Sequence, residues 1–145
     1  MALAVADTSF LFSLFGNDGH TAAAQEWMRR SRLPTSLTVL NQFEFGNAIQ
    51  FAAFRKAITP NDAQASLAAF EADLKAGYLH LEPLDFSGVI AEAARLSELF
   101  TMNGGHRSFD VLHVAAARLL KASTFLSFDA NQRKLALTAH LAVGP

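Results

Sequence analysis

Cysteine is absent from the 145 residues. Disulfides, thiolate nucleophiles and sulfur-ligated zinc are thereby excluded together, any metal must be held by oxygen or imidazole, and a reducing, cytoplasmic setting is expected. An excess of charge is missing too. The formal net charge is -1, so no global basic field announces nucleic acid, and a local basic surface would have to steer one. Long apolar runs are lacking. The opening stretch Met1 to Ala6 is closed by Asp7, has no basic lead and is far shorter than a membrane span or the apolar part of a signal peptide. It reads as a buried strand, with no membrane association expected. Repeats, low-complexity tracts and Pro/Ser-rich linkers are also lacking, which at this length predicts one domain over residues 1–145.

What is present alternates. Leu3 to Ala6 is an apolar strand, and Asp7-Thr8-Ser9 after it favours a helix start. A helix from about Asp18 to Arg30 and a strand from Leu33 to Thr38 follow. In the next segment Leu40, Phe43, Asn47, Phe51 and Phe54 recur at helical spacing, and Thr59-Pro60-Asn61-Asp62 starts another helix that Gly77 can cap. Tyr78 to Leu81 reads as a strand, Phe86 to Phe100 as a helix, and Asn103-Gly104-Gly105 as a turn. Ser108 can cap a helix from Val111 to Leu120, Thr124 to Phe128 is β-rich, Asp129 to Leu137 is helical, and Leu141 to Val143 suits an edge strand. This order predicts an α/β fold: a three-layer α/β/α sandwich around a mostly parallel sheet of four or five strands. The thirteen Phe residues should mostly fill the core. Their density from Phe43 to Phe54 leaves room for an exposed groove that a partner could cover.

Four acids stand out by position. In open α/β sheets ligands gather beyond the carboxyl ends of strands, and Asp7 and Asp129 each follow an apolar strand-like run. Glu44 near the start of the helix after the second strand, and Asp110 in the first turn of a later helix, can reach the same rim. Clustered carboxylates raise one another's proton affinity unless a cation compensates them, and oxygen-only ligation favours magnesium or manganese. Such an ion activates water and stabilises charge on an attacked phosphate. Any one Asp at such a place can simply be a helix cap. Glu44 is harder to explain that way, because it sits among Phe43, Phe45 and Ile49, where an ionised carboxylate needs a partner.

The segments Ala4-Val5-Ala6-Asp7-Thr8-Ser9, Leu40-Asn41-Gln42-Phe43-Glu44, Arg107-Ser108-Phe109-Asp110-Val111-Leu112-His113-Val114-Ala115-Ala116-Ala117 and Leu126-Ser127-Phe128-Asp129-Ala130-Asn131 resemble the four acidic motifs of PIN-domain ribonucleases. The order, spacing and compact length are most similar to VapC-type toxins of bacterial toxin–antitoxin pairs, and nearly the whole chain is covered. The resemblance implies a parallel sheet sandwiched by helices and a magnesium- or manganese-dependent endoribonuclease. It further implies a homodimer inhibited by a cognate antitoxin. Asp7, Glu44 and Asp110 match the family's most regular acids, and Asp129 matches a more variable fourth. Thr8 or Ser9 matches a hydroxyl position that often supports the metal site, and Asn131 stands where it can replace or assist the fourth acid.

RNA would have to be drawn to an acidic pocket. Arg107 precedes the Asp110 motif and Arg133-Lys134 follow Asp129, so these three are candidates for flanking phosphates. Arg29-Arg30-Arg32 and Arg55-Lys56 read better as helix ends favoured by the macrodipole. His113, three residues after Asp110, reads as a packed or hydrogen-bonded core histidine rather than a metal ligand, and of the others only His106 lies near a proposed site. Rival readings fare worse. A dehalogenase-like phosphatase needs a second Asp where Ser9 stands, Leu81-Glu82-Pro83 makes a poor receiver-domain site, and no glycine fingerprint supports dinucleotide binding. Two alternatives stay open: a PIN-like module that binds RNA or protein without cutting, and a PIN nuclease of housekeeping RNA processing.

Overall fold

The computed structural model describes residues 2–145; Met1, the first residue of the apolar opening, lies outside the described residues. The chain runs β1 (Ala4–Ala6), α1 (Thr8–Phe15), α2 (Thr21–Arg30), β2 (Thr35–Leu37), α3 (Val39–Phe54), α4 (Pro60–Ala76), β3 (Leu79–Leu81), α5 (Phe86–Gly104), α6 (Ser108–Leu119), β4 (Thr124–Leu126), α7 (Ala130–Thr138) and β5 (Ala142–Gly144). The five strands form one sheet in the order β3-β2-β1-β4-β5. All four pairings are parallel, with Ala4 facing Thr35 on one side and Thr124 on the other.

A parallel sheet is stable only when both faces are covered, and the side-chain alternation of β1 shows how this one is. Val5 and Phe125 point into a cluster with Val89, Leu96, Val114 and Leu135, from α5, α6 and α7. Ala4, Ala6 and Leu126 point the other way, with Leu37 of β2, against Phe10, Phe45, Ile49 and Phe70, from α1, α3 and α4. The result is the expected three-layer sandwich. Its strand order has a consequence for ligands. The helix after β1 packs on one face and the helix after β4 on the other, so a crevice opens at the carboxyl ends of these adjacent strands, the usual ligand position in such sheets.

The local signals explain most element ends. Asp7, Thr38, Thr59, Asp85 and Asp129 each cap a helix through a side-chain oxygen. Gly77 closes α4 with φ 81, a conformation that costs a side-chain-bearing residue energy. Three expectations are corrected. Helix α2 begins at Thr21, because Asp18 is spent organising the preceding turn through Ser13, His20 and Thr21. Helix α5 continues through Asn103 and Gly104, and the chain turns only at Gly105, with φ 67. Ser108 is the first residue of α6 rather than its cap, and Arg107 at the cap makes no side-chain cap bond. On α3, Phe43, Phe51 and Phe54 are exposed, in keeping with the groove expected there, while Asn41, Phe45, Ile49 and Ala52 are buried. Of the thirteen Phe residues, Phe10, Phe45, Phe70 and Phe125 are buried and Phe12, Phe15, Phe100 and Phe128 pack against the core, so most of them do fill it.

Candidate active site

Asp7 leaves the central strand and enters α1. Its N–H donates to Leu126 O at 2.9 Å, which continues the β1–β4 pairing one step beyond the strands. Its Oδ1 accepts from Phe10 N–H at 3.0 Å and from Ser9 Oγ at 2.7 Å. The capping role is therefore real, and it occupies one of the two carboxylate oxygens. Burial pushes Asp7 above the ordinary carboxylate range, although hydrogen bonds from Ser127, Ser9 and the Phe10 amide oppose the rise. An ionised Asp7 thus lacks compensation, which a nearby cation would supply.

Asp129 has the matching place beyond β4, where its Oδ1 caps α7 by accepting from Gln132 N–H at 2.8 Å. The two strand exits are tied together by hydroxyls. Ser9 Oγ lies 3.2 Å from Ser127 Oγ and accepts from Phe128 N–H at 3.0 Å, and Ser127 Oγ accepts from Asp129 N–H at 3.1 Å. Ser127 is fully buried, and its part was not anticipated.

Glu44 comes from α3 and Asp110 from the first turn of α6. Glu44 Oε1 is 3.0 Å from His113 Nε2, which supplies the partner that the apolar surroundings of Glu44 require. Burial raises the proton affinity of Glu44, but hydrogen bonds from His113 and Thr8 and the charge of Arg107 outweigh it, leaving the group below its ordinary value. Asp110 Oδ2 is 3.3 Å from Arg107 Nε, and Gln132 Nε2 donates to Asp110 O at 2.9 Å, docking the start of α6 on α7.

All four acids line one cavity of about 420 Å³, together with Thr8, Ser9, Asp18, His20, Arg107, His113 and Phe128. Five carboxylates around it face one guanidinium, so the cavity is strongly negative. A second groove of similar size shares Thr8, Glu44, Arg107 and Asp110 and extends along Ser108 and Phe109. A larger cavity of about 560 Å³ sits at the amino ends of β2 and β3, but it holds a single acid, Asp73, among Arg29, Arg32 and His80. The acids therefore mark the smaller one.

The remaining candidates divide. Arg107 lines both grooves of the acidic site. Arg133 does not: its Nη1 donates to Ser127 O, Gly144 O and Pro145 O, so it staples the end of β4 to the chain terminus. Lys134 is exposed on α7 outside the cavity, and Asn131 Nδ2 instead lies 3.2 Å from His106 Nδ1, also outside it. His20, not His106, is the further histidine at the site: it stacks on Phe128 at 4.5 Å and lines the cavity with the acids. Asp18 joins them as well, held below its ordinary value by bonds from the His20 amide and Ser13 that exceed its burial cost.

The donor set suits a hard divalent cation, since it is made of carboxylates and hydroxyls with oxygens left over after capping. Among the described residues, however, no three His, Asp or Glu side chains stand close enough to close on one ion as they are. The fit is one of chemistry and placement.

The PIN-domain family profile matches residues 4–137. Among solved structures, VapC20 of Mycobacterium tuberculosis, described as a sarcin-ricin loop cleaving toxin, superposes with a TM-score of 0.67 at 15% identity, covering 98% of this chain and 99% of that one. FitAcB of Neisseria gonorrhoeae gives a TM-score of 0.64 at 14% identity over 99% and 97% of the two chains. PAE2754 of Pyrobaculum aerophilum gives 0.63 at 16% identity over 98% and 83%. These likenesses establish a shared fold. Among curated proteins none matches the sequence.

Proposed function

The chain belongs to the PIN-domain family, and from that premise we propose that it is a metal-dependent endoribonuclease acting as the toxin of a toxin–antitoxin pair. The observation that carries the reading is the lining of one cavity by acids from four separate segments, at the crevice where the sheet's strand order reverses. Residues 1–145 act in it as one PIN-like unit.

Asp7, Asp110, Glu44 and Asp129 would hold magnesium or manganese. When bound, such an ion makes water a usable nucleophile at neutral pH and takes up charge on the attacked phosphate. Arg107, the one guanidinium on the lining among the described residues, places positive charge at the rim for a flanking phosphate. Glu44 has a lowered proton affinity, which makes it a poor base and a good acceptor, so it orients the attacking water through an O–H donated to its carboxylate. Ser9 and Thr8 hold Asp7 and Glu44 in place.

Two partners belong to the proposal. The exposed Phe43, Phe51 and Phe54 give α3 an apolar face that a second copy or an antitoxin segment would cover. No helix among the described residues is long and apolar enough to cross a membrane. The decisive experiment is cleavage of total RNA with magnesium or manganese, comparing the unaltered protein with Asp7→Asn and Asp110→Asn. Metal-dependent cuts lost in both variants are expected. Cleavage that survives a chelator, or both variants at full activity, overturns the reading.

A further inference from the structure

Three buried residues outside the acid set form a chain of hydrogen bonds that ends on Glu44. Thr38, Asn41 and His113 are all buried to 2% exposure or less. Thr38 N–H and Thr38 Oγ1 each lie 3.1 Å from Asn41 Oδ1. Asn41 Nδ2 lies 3.1 Å from His113 Nδ1, and His113 Nε2 lies 3.0 Å from Glu44 Oε1.

The direction of every bond follows from the first. A backbone N–H can only donate, so the amide atom facing it must be the oxygen of Asn41. That orientation turns the amide nitrogen of Asn41 toward His113, and an amide nitrogen also only donates. His113 Nδ1 must then be an unprotonated acceptor, which leaves the ring proton on Nε2, aimed at Glu44 Oε1. Thr8 Oγ1, 3.4 Å from the same nitrogen, is consistent as a secondary acceptor.

We infer that Thr38 and Asn41 lock His113 as the Nε2–H tautomer, and that His113 is a positioning residue which holds one oxygen of Glu44 and leaves the other turned to the acidic cavity. The helix start provides the reference point. The capping box of α3 fixes Asn41, α6 carries the imidazole, and Glu44 lies less than one turn from Asn41 on α3. The arrangement resembles the orienting of a metal-ligating or catalytic group by an outer partner, whose loss typically costs about 10- to 100-fold in metal affinity or activity. The positioning role rests on the nuclease reading above; the tautomer does not.

Two measurements test it. In uniformly 15N-labelled, metal-free protein at neutral pH, two-bond correlation spectra should show His113 with an unprotonated Nδ1 and a proton on Nε2. A proton on Nδ1 overturns the inference even if RNA is cut. In cleavage assays, His113→Leu should lower kcat by about 10- to 100-fold with KM for RNA nearly unchanged. His113→Gln, which retains a donor toward Glu44, should recover part of the loss. Two fully active variants, or a loss confined to KM, overturn the positioning role. If the unaltered protein cuts no RNA while the spectra show the Nε2–H form, the nuclease reading and the positioning role fall, and the locked tautomer stands as a structural feature.

Discussion

Glu92 and Asp7 are carboxylates of the same fold in opposite circumstances. Glu92, on α5, lies 2.7 Å from both Arg95 Nη2 and Arg118 Nε, and the hydrogen bond from Arg95 leads the effects that lower it to about 2. Arg118 reaches on to Ala139 O and so joins α5, α6 and the end of α7. Among the described residues no guanidinium pairs with Asp7. It receives hydroxyls and an amide, and its burial outweighs them. The first acid is neutralised by its own chain and serves stability. The second is left short of positive charge, as the proposed role of holding a cation would require.

The largest test of this contrast is functional. Asp7→Asn should reduce RNA cleavage by about 100-fold or more, with no loss of melting temperature at neutral pH in chelator, because Asn retains capping ability and carries no buried charge. A variant that is inactive because it unfolds would break the comparison. Next comes the ion itself. Manganese at about 100 times its dissociation constant should stabilise the unaltered protein by about 2.7 kcal/mol, and Asp7→Asn should abolish most of that gain in a thermal shift. An equal gain in both would detach Asp7 from the ion.

The balanced cluster should respond in the reverse manner. Arg118→Ala is expected to cost about 1–3 kcal/mol in denaturant unfolding, since it removes the partner of both Glu92 and a backbone carbonyl, while cleavage is retained. The pH dependences carry opposite signs. Glu92 is lowered from 4.5 to about 2, so its contribution is complete above pH 4.5 and is lost as the pH falls from there toward 2. Asp7 is raised from 3.8, so its burial weighs on the fold as the pH climbs past 3.8 and ceases to weigh when the proton returns. In chelator, the stability advantage of Asp7→Asn should therefore shrink on acidification, whereas the deficit of Glu92→Gln should also shrink, but in a lower pH window. Arg95→Ala should have the smallest effect. Its side chain is half exposed and solvent screens the pair, so a melting-point change matching that of Arg118→Ala would contradict this ranking.

Much of this was legible in the residues. The apolar run before Asp7, the β-rich run before Asp129 and the alternation between them were enough for a parallel α/β sandwich, because a strand buried on both faces has no polar alternation to hide behind. The acids stood out because each interrupts or ends an apolar segment. Helix α3 resisted, since it is apolar nearly all round and periodicity alone gives no phase. The packing of Phe45 against Phe15 and Phe70 selected the buried side, and the periodic set Phe43, Phe51 and Phe54 was left outside. His113 is the buried, hydrogen-bonded histidine that the sequence suggested, but its partners and the parts played by Ser127 and Asn41 were illegible for another reason. Asn41 meets His113 across 72 positions, and Ser127 meets Ser9 across 118, so neither role exists until the chain has folded.

The hydroxyl tie between the two strand exits gives an irregular stretch the order of a strand. The amides of Ser127, Phe128 and Asp129 all donate, to Gly144 O, Ser9 Oγ and Ser127 Oγ respectively. In deuterated water these three protons should therefore be among the slow ones, exchanging through the same opening events as β1 and β4 rather than by local fraying. The floor between Asp7 and Asp129 is thus ordered by the protein itself, and on the proposed nuclease reading adaptation to an incoming phosphate falls to the side chains above it.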